Sequence, residues 1–340
     1  MRVTRETLIR LAKETTQARA YNDKDILAAY LIGSLLTDDP FLGGVTDIDL
    51  VFVTAGNPKR TREIVKLTGD FHVDITYHAR AEYNPARELR VNPWLGPEIY
   101  APMLIYEREK FFDFVQAAVR GGFEFNGPAL TLQRCRTLLS HGRGVWTDLL
   151  SVEKTGPAEV AHYLKSVYHA VCAVGELNAG NPLAERRLLL DFPTRAAQAD
   201  RAGMAAGLIG LLGGHNLAEG IPAEWIPDWQ AEFTSAAETG KADPRIHTAR
   251  LAYYRKSFDA MLASDNRLAP LWPLLHTWTL AASVLPEEKT HGWQAACAEL
   301  GLTGGGFGEK VEGLDSFLDE VEILLDEMAA ANGLETSTSL

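Results

Sequence analysis

Apolar positions follow two regimes along the chain. Between residues 25 and 106 they come as short runs closed by Gly, Pro or Asp, at 28–32, 47–54, 71–78 and 103–106. Runs of that length bounded by turn residues predict strands. Residues 4–20 predict a helix, with Leu8, Leu11 and Ala12 on one stripe and Thr4 as N-cap. Residues 58–67 also read as a helix, with Ile64, Val65 and Leu67 apolar, and 110–119 as another, ending at Gly121-Gly122. Residues 82–102 hold Pro85, Pro93, Gly96, Pro97 and Pro102 and predict mostly loop. From Pro128 onward the apolar residues recur at three and four, predicting helices over 129–150, 157–179, 183–200, 223–238, 243–263, 269–284 and 312–331. The expected organisation is an α/β (α+β) N-terminal domain, residues 1–122, with a short mixed sheet. An all-α helical domain, residues 123–335, follows it. The boundary falls among Gly121-Gly122 and Asn126-Gly127-Pro128, and the tail at 336–339 is expected to fray.

One strand carries an unusual polar pattern. Asp47 and Asp49 flank Ile48 in Thr46-Asp47-Ile48-Asp49-Leu50-Val51. Alternation along a strand points both carboxylates to one face, about 7 Å apart. Two like charges held there call for a shared divalent cation. Upstream, Gly33-Ser34 closes the apolar run Tyr30-Leu31-Ile32. A small-residue turn offers a backbone amide and a hydroxyl with no bulk in the way, which suits phosphate oxygens. Carboxylates for a metal beside a turn for phosphates point to a metal–nucleotide site.

The segment resembles the nucleotidyltransferase superfamily related to DNA polymerase beta. The residues that carry the resemblance are Ile32-Gly33-Ser34, a gap, then Asp47-Ile48-Asp49-Leu50, with a third carboxylate, Asp74, in Phe71-His72-Val73-Asp74-Ile75. It covers residues 25–80 well. It implies a nucleotidyltransferase domain in which Asp47, Asp49 and Asp74 are catalytic and bind two Mg²⁺ ions, and Gly33 and Ser34 contact the triphosphate. Two ions about 3.5–4 Å apart stabilise the entering and leaving oxygens of an in-line displacement. Asp74 is either a ligand of the second ion or the general base for the acceptor hydroxyl. Members with a helical second domain place a basic side chain on the triphosphate. Lys165 is the candidate, with Arg186 and Arg187 as competitors and Arg134 and Arg136 behind them. The expected reaction transfers AMP from ATP to an acceptor hydroxyl in a cleft between the domains. With Glu88 and Trp94 following the third strand, the layout loosely resembles aminoglycoside adenylyltransferases, which implies a small-molecule acceptor such as an aminoglycoside. Two alternatives stay open: a protein- or RNA-modifying nucleotidyltransferase, and a nucleotide-binding regulatory or antitoxin-like module.

Composition narrows the partners. The chain of 340 residues carries a net charge of −12. That disfavours nucleic acid, whose binders present basic faces. No apolar run approaches the ~20 residues of a membrane span, and the charged start at Arg2 and Arg5 does not read as a signal peptide. Cys135, Cys172 and Cys297 are widely spaced, so neither disulfides nor zinc is expected, and a reducing cytoplasm is the natural setting. The Gly304–Gly308 stretch lacks the Gly-Lys-Ser/Thr ending of a phosphate loop and reads as an interhelical connection. Trp225, Trp229, Trp272 and Trp278 read as helix packing. The acidic stripe from Asp315 to Glu327 reads as solvated surface.

Overall fold

The computed structural model describes residues 3–121, 125–179, 182–217 and 220–337. Gly122 of the expected boundary, and Thr338 and Ser339 of the expected frayed tail, lie outside the described residues. The chain divides into two compact units, one comprising Met1–Phe125 with Ala249–Ala260, the other Asn126–Thr248 with Met261–Leu340. A single cut at 122/123 does not anticipate the return of 249–260 to the first unit.

The first unit is built on a five-stranded mixed sheet. Helix α1 (Arg5–Asn22) starts at Thr4, whose side chain accepts from the Thr7 amide as an N-cap should. Strands β1 (Ile26–Ile32), β2 (Ile48–Thr54), β3 (Arg62–Lys66), β4 (His72–Ala79) and β5 (Met103–Glu107) lie in the order β3-β4-β2-β1-β5. Only the β2–β4 pair is parallel. Both faces are covered, which accounts for the nearly unbroken apolar runs of β1 and β2. On one face Leu8 and Ala12 of α1 pack with Leu31, Leu50, Phe52, Val73 and Ile75. On the other, Tyr30, Val51 and Val53 meet Leu89, Ile99, Phe112 and Val115. Those last side chains come from the segment after β4, from helix α2 (Leu95–Tyr100) and from helix α3 (Phe111–Arg120).

The helix expected over 58–67 is instead a loop and the edge strand β3. Ile64 and Val65 are β-branched and favour a strand. The turn at 68–70 folds Val65 back against Val73 of β4. Arg62, Glu63 and Lys66 put charge on the sheet edge, which guards it against further pairing. The stretch 82–102, expected to be mostly loop, contains short 3₁₀ turns and α2.

The second unit is helical. It comprises α4 (Pro128–Leu149), α5 (Pro157–Ala179), α6 (Leu188–Gln198), α7 (Gly203–Leu211) and α8 (Trp225–Glu238). The chain then contributes α9 (Leu251–Leu262), most of it to the first unit, before α10 (Leu271–Ala282), α11 (His291–Glu299) and α12 (Phe307–Ala331). Helices α7 and α11 were not anticipated; Gly203, Gly207 and Gly210 mask the first. Helices α4 and α5 pack along each other with α12 against both. Val160, Leu164, Val167, Val171 and Val174 are buried as their spacing predicts, and so are the four tryptophans. The Gly304–Gly306 turn leads straight into α12. The acidic stripe of α12 is more than solvated surface. Arg143 pairs with Asp315 at 2.8 Å, with Asp319, and with Glu322 at 3.3 Å, while Arg136 meets Asp326 at 3.1 Å and Arg201 meets Glu327 at 2.5 Å.

His169 on α5 makes the stability of the fold depend on pH. Burial, then the charge of Lys165 and the neighbouring His141, push it down to about 4 from an ordinary value of 6.5. The imidazole is therefore neutral in the folded chain and protonates more readily in the unfolded one. Its contribution is complete above about pH 6.5 and is lost as pH falls toward 4. At pH 5.5 the loss is about 1.4 kcal/mol. Urea unfolding at pH 7.5 and 5.5 should show the native chain losing about that much more stability than His169→Gln. Equal losses in both proteins would mean that His169 titrates normally.

Candidate functional site

The parallel pairing of β2 and β4 assembles the carboxylates. Asp49 stands directly opposite Asp74 in register. The neighbours of Asp74 on β4, Val73 and Ile75, belong to the core on the α1 side, so Asp74 projects to the opposite face. Val51, two residues beyond Asp49, lies in the core of that same opposite face. Asp47 immediately precedes β2 and is buried. All three predicted carboxylates thus gather where β1 ends and β2 and β4 begin.

The Gly33–Ser34 turn closes the same corner. Ile32 pairs with Asp49 across β1 and β2, so the next residue must pass over the Asp49 side chain. Gly33 does so at φ 80°, ψ −160°, a conformation that side chains resist. A Cβ at this position would collide with Asp49 Oδ2. The Ser34 hydroxyl lies 2.7 Å from Thr46 Oγ1, tying the turn to the residue before Asp47. The spacing between Gly-Ser and the Asp pair is therefore that of a loop whose two ends meet.

Two arginines enter the cluster. Arg62, on β3, donates from Nε to Asp74 Oδ1 at 2.8 Å and from Nη2 to Asp74 Oδ2 at 2.6 Å. Arg250, just before α9, donates from Nη1 to Asp74 Oδ2 and from Nη2 to Asp47 Oδ2 at 3.5 Å. The Asp74 and Arg250 side chains are 2% and 7% exposed, so this is a buried ion pair. Arg250 lies over the rings of Tyr253 and Tyr254, at 5.4 and 5.6 Å. Its helix is fastened to the sheet by Lys256 on Asp70 at 2.7 Å and by Tyr253 edge-on to His72 at 5.4 Å. Gly43 lies so close to the Lys256 carbonyl that a Cβ would collide with it.

Asp49 is different. Among the described residues it has neither an ion pair nor a side-chain hydrogen bond within the chain. Burial lifts its carboxyl well above the usual range; the like charges of Asp47 and Asp74 add to this, while Arg250 and Arg62 pull the other way. Three carboxyl groups face two guanidinium groups, so ionising Asp49 adds a negative charge that no arginine in the cluster balances.

The basic candidates fare unequally. Lys165 belongs to the second unit and is exposed on α5. Arg134 is fully buried against Glu176, which assigns it to the α4–α5 interface rather than to a triphosphate. Arg136 is engaged by Asp326 and by the Glu335 carbonyl. Arg186 is buried, and Arg187 lies 3.8 Å from Asp191. Glu88 is exposed and Trp94 is 38% exposed, both in the segment after β4. Sequence reasoning missed Arg62 and Arg250. The first was within reach: as an edge strand, 62–66 puts Ile64 opposite Asp74 and Arg62 two residues away. Arg250, 176 residues from Asp74, had no local signal.

The Gly33 geometry predicts a measurable penalty. Gly33→Ala should lose about 1–3 kcal/mol from the strained backbone alone, and more from the collision with Asp49. Gly44→Ala is the control, since φ there is 74° and the space around its Cβ is open. Chemical unfolding should rank Gly33→Ala clearly below Gly44→Ala; equal stabilities would mean the Asp49 carboxylate simply moves aside. No protein-family model matches the chain, and no curated protein matches its sequence.

Proposed function

We propose that the first unit is a nucleotidyltransferase that moves AMP from ATP to a hydroxyl of a small-molecule acceptor. The observation that carries this is the uncompensated Asp49 carboxylate, held beside Asp47 and pressed against the Gly33–Ser34 turn. Carboxylate oxygens are the donors Mg²⁺ prefers. A divalent ion favours the ionised form of Asp49 and balances the charge that its ionisation adds, so Asp47 and Asp49 fit the ion that accompanies a nucleoside triphosphate. When bound, that ion neutralises charge on the phosphates during displacement. The chain's own residues then have separate tasks. Asp47 and Asp49 fix the position of the nucleotide's metal. The exposed Gly33 keeps side-chain bulk away from the phosphates. Thr46, through its hydroxyl contact with Ser34, holds the turn against the strand. A net charge of −12 suits a cationic acceptor such as an aminoglycoside.

The pairing of Asp74 with Arg62 and Arg250 favours a second reading, a nucleotide-binding module without turnover. Both oxygens of Asp74 are occupied by N–H donors, which leaves it badly placed to accept a proton from an acceptor hydroxyl. Release of pyrophosphate from ATP with candidate acceptors distinguishes the two readings.

Binding is tested by thermal melts with ATP, with Mg²⁺ and with both. Only the combination should raise the melting temperature, by the equivalent of about 2.7 kcal/mol at a hundredfold excess over Kd. Asp49→Asn should abolish that rise. Without ligand it should be at least as stable as the native chain, because it removes repulsion from Asp47 and Asp74. The same melting temperature across all nucleotide and metal combinations would overturn the proposal.

A further inference from the structure

We infer that Arg62 and Arg250 fill the place of a second metal ion, so that the site takes one divalent cation, on Asp47 and Asp49, and not two. The inference rests on the nucleotide-binding reading above and concerns what surrounds Asp74. A carboxylate offers about four lone-pair sites. Three N–H groups already address Asp74, two from Arg62 and one from Arg250. Together the two guanidinium groups bring a charge of +2, equal to that of a divalent ion.

Neither arginine is easily displaced. Arg250 is buried, and separating it from Asp74 leaves the guanidinium charge buried without its closest partner. Its approach is fixed by Tyr253 and Tyr254 under the guanidinium, and by the contacts of Lys256 and Tyr253 with the sheet. Arg62 meets Asp74 through a two-pronged contact, the strongest geometry available to the pair. Asp49 has no such partner among the described residues. Asp74 is thus already served by two cations, while Asp49 is served by none within the chain.

The test counts metal rather than turnover. Bound Mn²⁺ is measured by equilibrium dialysis of the full chain with a non-hydrolysable ATP analogue, and the electron paramagnetic resonance spectrum of the complex is recorded. One ion per chain with an uncoupled spectrum is expected. Two ions per chain, or the spectrum of a coupled pair, would overturn the inference while leaving the nucleotide site standing. Failure to form any Mn²⁺–analogue complex would instead overturn the nucleotide site itself. Arg250→Met should raise the count to two, and Arg250→Lys, which keeps the charge, should hold it at one. If Arg250→Met does not fold, Arg62→Met at the sheet edge reads the same quantity. A folded methionine variant still binding a single ion would show that the arginines are not what excludes the second.

Discussion

Like charges gathered at the end of a buried sheet are the constraint on which the first unit turns. The parallel register of β2 and β4 sets Asp49 opposite Asp74, and Asp47 sits at the entrance to β2. Such a cluster is unstable unless cations are supplied. The fold supplies two from separate places. The edge strand β3 exists in a register that delivers Arg62, and the segment before α9 delivers Arg250. What they leave uncompensated is Asp49, the residue over which the chain must cross at Gly33. The placement of Arg62 and Arg250 and the candidate chemistry at Asp49 therefore both follow from the gathering of these carboxyl groups.

The N-terminal sheet was legible because its signals are local. Short apolar runs became β1, β2, β4 and β5 within a residue or two. The three aspartates met as the alternation of their strands requires, since register follows from which side of each strand is apolar. The long helices were legible from their spacing, α12 above all. Residues 58–67 failed for a definite reason. Three apolar positions in ten cannot separate a helix from a short edge strand when the deciding factor is hydrogen bonding to β4. The same failure hid Arg62.

The helical unit shows the opposite limit. Its apolar stripes were visible, but the partners of its charges were not. Arg134 looked available for phosphate and is sealed against Glu176. The acidic face of α12 looked solvated and meets Arg143, Arg136 and Arg201. A charge on a helix states which face it occupies; only packing states what it faces. Lys165 shows a milder form of the same limit: it is exposed on α5 and, behind burial, adds to the depressed basicity of His169, one turn further along.

The origin of Arg250 changes what counts as the first unit. A chain ending at Phe125 would hold the sheet, α1, α2, α3 and all three aspartates, yet only one of the two guanidinium groups that balance them. It would also leave Gly43 without the Lys256 carbonyl, His72 without the Tyr253 ring and Asp70 without the Lys256 ammonium. With Arg250 gone, Asp47 would lose its guanidinium partner and Asp74 one of its two. The sheet contributes the acidic residues early in the sequence, but their balance is completed only by a segment that follows the whole of α4 to α8. Electrostatic closure of the site is thus a long-range event in the chain, made by one residue, Arg250, of the returning segment.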